Sequence, residues 1–318
     1  MYKQLTSEQR SQIFVLLQKK TSRKELAELV KISQSTLSRE LKRNSTAKGH
    51  YLWKQAQEKS EERRRRTTSN SKKNEIIIWE ALEHLRRDQW SPMQISGSMA
   101  LDGKRISHEL IYQYVRADKS GELKKNCRHQ MKYNRHGRPD HTTKVKNIPH
   151  RISIQDRPPE ADGKRFGDWE MDTIISKNNK GAIVTLIERS TNNLLMEKLP
   201  EGKNAKALAK VVARLLFPFR GMGVRTITTD NGCEFCAHED ISKMLGNVPI
   251  FFADSYASWQ KGAIENENKL IRQYIPKGTD FDNITPLFIK KIQAKLNNRP
   301  RLKLNFSSPK IQFFKHFS

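Results

Sequence analysis

The chain has 318 residues, enough for two or three domains. It carries 60 Lys and Arg against 34 Asp and Glu, a net charge of +26. Such a surplus implies a polyanionic partner, because each neutralised phosphate releases counterions. A spanning role in a membrane finds no support, since no apolar run approaches the ~20 residues a transmembrane helix needs.

The start, Met1-Tyr2-Lys3-Gln4-Leu5, lacks the apolar core of a signal peptide. Three cysteines, Cys127, Cys233 and Cys236, cannot build a disulfide framework and fit a reducing cytoplasm. The charge is uneven: residues 1–160 hold 35 basic and 18 acidic residues, and residues 161–318 hold 25 and 16. The front is therefore the part expected to grip nucleic acid.

Residues 1–48 read as a helix-turn-helix DNA-binding domain of three short helices. Thr6 is placed to cap the first, whose apolar stripe is Ile13, Leu16 and Leu17. Ser22 caps a second through Leu26, Leu29 and Val30. Lys31-Ile32-Ser33 makes a turn into a third helix over 34–43. There Leu37 and Leu41 face inward and leave Gln34, Ser35, Thr36, Ser38 and Arg39 outside, with Lys42 and Arg43 in the last turn. These are side chains that hydrogen-bond base edges and phosphates, on the recognition helix of such a motif. A run of four arginines, Arg63–Arg66, then lies in a polar segment expected to be a connector.

Residues 49–117 form a second helical region. Ile76, Ile77, Trp79, Leu82 and Leu85 mark one helix, Ser91-Pro92 starts another, and a third begins near Ser107. This spacing admits a second helix-turn-helix. Residues 118–160, basic and weakly periodic, read as a linker able to lie along DNA.

After Pro158-Pro159 the composition shifts, and residues 161–318 read as an α/β domain. Strands are expected at 167–175, 182–187 and 193–198, separated by short polar turns as in an antiparallel meander. A helix over 203–217, a strand over 224–229, a helix near 239–245, a strand over 249–252 and a long helix over 260–274 follow. Three strands followed by alternating helices and strands make one mixed sheet. Asp230 ends the fourth strand, where α/β sheets place their sites, and Asn231-Gly232 turns the chain away from it. Asp168, Glu170 and Asp172 alternate along the first strand and share one face, so periodicity does not choose among them. Glu265 lies on the helix 35 positions after Asp230. Two strand carboxylates and one helix carboxylate can hold a pair of Mg²⁺ ions through oxygen ligands.

The chain resembles the insertion-sequence transposases of the IS-thirty family, whose core is similar to that of retroviral integrases. Four stretches carry the likeness: Leu5–Arg10 with Ser35–Asn44, Trp169–Ile174, Asp230–Phe235, and Ser258–Asn266 extended by Leu270–Asp280. Leu296-Asn297-Asn298-Arg299-Pro300-Arg301 also fits. Where the family usually has His, Gly and Gly, this chain has Asp168, Met171 and Lys269. The resemblance implies an RNase H-like catalytic core and assigns Asp172, Asp230 and Glu265 as catalytic and metal-binding carboxylates. It implies Mg²⁺, with Mn²⁺ as a substitute. It also implies an enzyme that binds terminal inverted repeats on double-stranded DNA, nicks there, and joins the freed 3′-hydroxyl to target DNA. Two DNA ends must be held, so a homo-oligomer, a dimer at least, is expected. The location expected is the cytoplasm, on the nucleoid when bound to DNA.

Glu265, Lys269 and Arg272 stand at i, i+4 and i+7, one helical stripe in which the two cations are expected to follow the DNA away from the scissile phosphate. Cys233, Cys236 and His238 lack a fourth zinc ligand of suitable spacing nearby, and no P-loop pattern appears. Two rival functions are a non-catalytic repressor using the front alone and an RNase H-like nuclease without transposition. The first leaves the three carboxylates unexplained, and the second leaves the front unexplained.

Overall fold

Small hydroxyl side chains start the front helices. In a computed structural model describing residues 4–69, 74–131, 148–177, 181–255 and 257–318, Thr6, Ser22 and Ser33 accept the N–H of Gln9, Glu25 and Thr36. Each such cap contributes about 1 kcal/mol. They begin α1 (Ser7–Gln18), α2 (Arg23–Leu29) and α3 (Gln34–Asn44). Lys31, at a φ of 57°, turns the chain between α2 and α3. Ile13, Leu26 and Leu37 close the core between them, and Leu41 packs at its edge.

The front does not end there. A fourth helix, α4 (Trp53–Ser69), packs on α1 and α3 through Ala56. The polar segment expected as a connector is thus largely helical, because it continues a helix already anchored by Tyr51 and Ala56. The chain divides into Met1–Asn74 and Glu75–Ser318, so the boundary falls well beyond residue 48. A buried ion pair ties this unit together. Arg10 donates to Glu40 at 2.8 Å and to Gln57 on α4, and Tyr51 donates to the same Glu40 oxygen.

The second unit opens with α5 (Glu75–Glu83), continued by a wide turn over His84–Asp88, then α6 (Pro92–Leu101) and α7 (His108–Ala117). Ser91 caps α6 with Pro92 at its first position, and Ser107 caps α7. Ile78, Leu85, Ile95, Met99, Ile111 and Val115 form their core. The expected linker is only partly one. Leu123 on α8 (Glu122–Asn126) and Cys127 are buried in that helical core. Ile148 is buried against the sheet, and Ile152–Ser153 is itself a strand, β1. Two residues give too short a run for a period to show. The middle of the linker, residues 132–147, lies outside the described residues.

The sheet contains β2 (Asp168–Ile175), β3 (Ala182–Glu188), β4 (Leu194–Leu199), β5 (Thr226–Thr229) and β6 (Ile250–Phe252), in the order β1-β6-β5-β2-β3-β4. β2, β3 and β4 are antiparallel, while β5 runs parallel to β2, and β6 to β5. This is the mixed sheet of the expected RNase H-like core. α9 (Ala205–Leu216), α10 (His238–Met244) and α13 (Pro309–Phe314) cover one face, burying Trp169 and Met171. α11 (Gly262–Ile271) and α12 (Pro286–Asn297) cover the other, burying Ile174, Ile183 and Met196. Asn297 on α12 accepts the Leu194 N–H and donates to the Leu194 carbonyl, both at 2.8 Å, as a neighbouring strand would. Among the described residues, no helix is long and apolar enough to cross a membrane.

Candidate active site and nucleic-acid interface

The pleat of β2 sends Trp169 and Met171 to one face and Asp168, Glu170, Asp172 and Ile174 to the other, beneath α11. Three acids in a row would repel, and each has its own answer. Asp168 is fully buried, held by Arg165 at 2.7 Å and by the Thr226 hydroxyl. Glu170 accepts Arg189 and the backbone N–H of Ile264, so it fastens the first turn of α11 to the sheet. Asp172 alone comes up to the chain's other strand-end acid. In the parallel pairing Asp168 stands beside Thr226 and Glu170 beside Thr228. Two residues further, that register sets Asp172 level with Asp230, on the same face.

Lys261 sits between these two carboxylates. Its ammonium is 2.9 Å from Asp230 and 3.8 Å from Asp172, and the residue is 8% exposed. Asp172 also accepts the Thr173 N–H and the Asn268 side-chain amide, each at 2.8 Å. Burial pushes its carboxyl above the usual range; Lys261 opposes that shift, and Asp230 and Glu234 add to it. Asp230 folds back on the N–H of Gly232. A Cβ at Gly232 would come within 2.8 Å of the Glu234 carboxylate, so a side chain there would push Glu234 aside. Glu234 in turn accepts the Thr173 hydroxyl.

Glu265 lies on the same helical face. Lys261 and Asn268, which both touch Asp172, stand four positions before it and three after it. Its carboxylate, however, is turned to Lys269 at 2.8 Å. The structure thus brings Asp172 and Asp230 together and not Glu265. Among the described residues, no three of His, Cys, Asp and Glu are grouped to hold an ion. The fit to Mg²⁺ rests on the donors: hard oxygens around a position where a cation, the Lys261 ammonium, already stands between two carboxylates.

The expectation for the stripe beyond Glu265 needs correction. α11 ends at Ile271 rather than 274, and Arg272 is its cap residue, donating to the Ile275 and Pro276 carbonyls. Arg272 is half-buried, not freely exposed. Lys261, Asn268 and Glu234 were not singled out from the sequence, and Glu170 only as one of three alternating acids. The helical period does put Lys261, Glu265 and Asn268 on one face; what it lacks is which face meets β2. Glu267, two positions from Glu265, points elsewhere: it is fully buried and held by Arg301 at 2.9 and 3.0 Å.

On α3, Gln34, Ser35, Ser38, Arg39, Lys42 and Arg43 are exposed, and Thr36 is half-buried beside the Ser33 hydroxyl. A cleft next to them is lined by Arg39 and Arg43 of α3 together with Arg63 and Arg64 of α4. Arg63 and Arg64 therefore flank α3 instead of trailing behind it.

Residues 1–44 match a family described as a helix-turn-helix domain. The transposase for insertion sequence element IS4351 of Bacteroides fragilis is 40% identical, over 98% of this chain and 96% of its own length. Transposase InsI for insertion sequence element IS30A of Escherichia coli (strain K12) is 30% identical, over 96% of this chain and 82% of its own. Among solved structures, the catalytic core domain of BIV integrase aligns with a TM-score of 0.36 and 19% identity, over 48% of this chain and 95% of that one. The chain belongs to the insertion-sequence transposases of the IS30 type.

Proposed function

We propose that the chain binds the terminal inverted repeats of its element and catalyses metal-dependent cleavage and joining of DNA strands. The observation that carries this reading is the pairing of Asp172 and Asp230 across adjacent parallel strands around one buried cation. Asp172, Asp230 and Glu265 would hold Mg²⁺, or Mn²⁺ in its place, as a pair of ions. Such ions activate an attacking oxygen and stabilise the leaving one in phosphodiester displacement.

The chain's own groups do the rest. The Thr173 N–H and the Asn268 amide orient the Asp172 carboxylate. Glu170 fixes the start of α11, and with it the height of Glu265 over the sheet. Glu265 exchanges Lys269 for the site, which frees the Lys269 ammonium for a DNA phosphate. Gln34, Ser35, Thr36, Ser38, Arg39, Lys42 and Arg43 face the terminal repeat, with base edges read in the major groove. Two ends must be held at once, so the active form is at least a dimer.

A strand-transfer assay tests this reading, with labelled repeat ends, target DNA and Mg²⁺. Joined products that disappear in Asp172→Asn, Asp230→Asn and Glu265→Gln are expected. Cleavage without joining would support a nuclease instead, and binding alone a repressor.

A further inference from the structure

The side of α11 away from the carboxylates borders a cavity of about 330 Å³ within the second unit. Four cations line it: Arg128, Arg299, Arg301 and Lys303. Ser91 and Gln94, at the N-terminal turn of the ten-residue α6, line it too, and a helix N-terminus favours an anion. Among the described residues, Arg301 is the one of the four in direct contact with an acid, Glu267.

Two of the cations lie deep. Arg299 is 2% exposed, and it gives one N–H to the Tyr274 hydroxyl. Arg301 spends one terminal nitrogen on Glu267 and the Leu296 carbonyl. The Nε atoms of both are buried without an acceptor. The other two cations are at the exposed rim: Arg128 donates to Asn266 of α11, and Lys303 to the Gly163 carbonyl.

We propose that this cavity is a second DNA contact, which takes one backbone phosphate of the nucleic acid on the opposite flank of α11 from Asp172 and Asp230. An oxyanion with several acceptor lone pairs suits a cavity lined by guanidinium groups, and arginine is the residue suited to phosphate. A helix is about 10 Å across, so a phosphate here stands within a few nucleotides of the one being processed. Asn266 and Leu270 of α11 line the cavity while Glu265 belongs to the carboxylate face. Seating DNA in it would therefore press on the helix that carries Glu265. The proposal rests on the strand-transfer reading for its ligand but not on the identity of the catalytic acids.

The test uses the full chain with Arg128→Ala and Lys303→Ala combined, since both are at the rim and neither pairs Glu267. Binding to a repeat-end duplex is measured between 50 and 200 mM salt. Loss of one phosphate contact lowers the salt slope by about 0.9, so this fourfold rise should cost the parent protein about 3.5-fold more affinity than the variant. Replacing single phosphates by methylphosphonate should reveal one position that weakens the parent and leaves the variant unchanged. Arg128→Lys with Lys303→Arg should restore both results. An unchanged slope with no such position overturns the proposal. So does an unchanged slope in a protein whose melting temperature rises with inorganic phosphate, an effect lost in the variant, because the cavity then takes a free anion. If the parent joins no strands but the methylphosphonate position appears, the strand-transfer reading fails and the phosphate site stands.

Discussion

Lys261→Met removes the one cation that stands between Asp172 and Asp230 and keeps most of its apolar bulk. Breaking a fully buried pair costs about 3–5 kcal/mol. Here the Asp230 side chain is 44% exposed and that of Asp172 27%, so water recovers part of the loss. About 2 kcal/mol is expected in metal-free protein, a fall in melting temperature of about 4–8 °C for a unit of this size. Mg²⁺ should narrow this gap. The ammonium competes with a divalent ion for the same carboxylates, so its removal should raise ion affinity. A tenfold gain adds about 1.4 kcal/mol of stabilisation at a fixed, saturating ion concentration. Thermal melts with and without Mg²⁺, on parent and variant, read both effects. If the variant gains no more from Mg²⁺ than the parent does, Lys261 does not occupy the ion's position and the site assignment loses its support.

Asp172→Asn, Asp230→Asn and Glu265→Gln should each abolish cleavage and joining in a gel assay while leaving repeat binding by mobility shift intact. Arg39→Ala, exposed on α3, should weaken repeat binding by about 1–3 kcal/mol if it reads a base, with a smaller loss on random DNA; equal losses would restrict it to phosphate contact. Arg301→Ala should destabilise in a pH-dependent way. Burial raises the Glu267 carboxyl above its ordinary value, and Arg301 is the foremost group opposing that rise. The folded state therefore loses stability as pH climbs from the unfolded to the folded value of Glu267, and the variant loses more. Its deficit should be small in acid and reach about 3–5 kcal/mol at neutral pH, measured by urea melts; a deficit independent of pH would refute the role given to Glu267.

Much of the molecule was already written along the chain. The caps Thr6, Ser22, Ser91 and Ser107 act over three residues, so their helices were legible without any tertiary knowledge. The same holds for the alternation on β2 and for Asp230 ahead of Asn231-Gly232, features of local geometry and sterics. Composition and charge fixed the class of partner to expect. Other features depended on contacts between residues far apart in the chain. β1 has two residues and exists because β6 offers it an edge. α4 continues through a polar, charged stretch because its start is anchored on α1 and α3. The choice of Asp172 over Asp168 and Glu170 is set by parallel register with β5, which no single strand encodes. Lys261 and Asn268 share a period with Glu265, but period alone gives a stripe and not what it faces; only the packing of α11 on β2 and β3 aims that stripe at the carboxylates. Local preferences act within a turn of helix or a pleat of strand, whereas a site assembled from residues 172, 230 and 261 depends on how separate elements are docked.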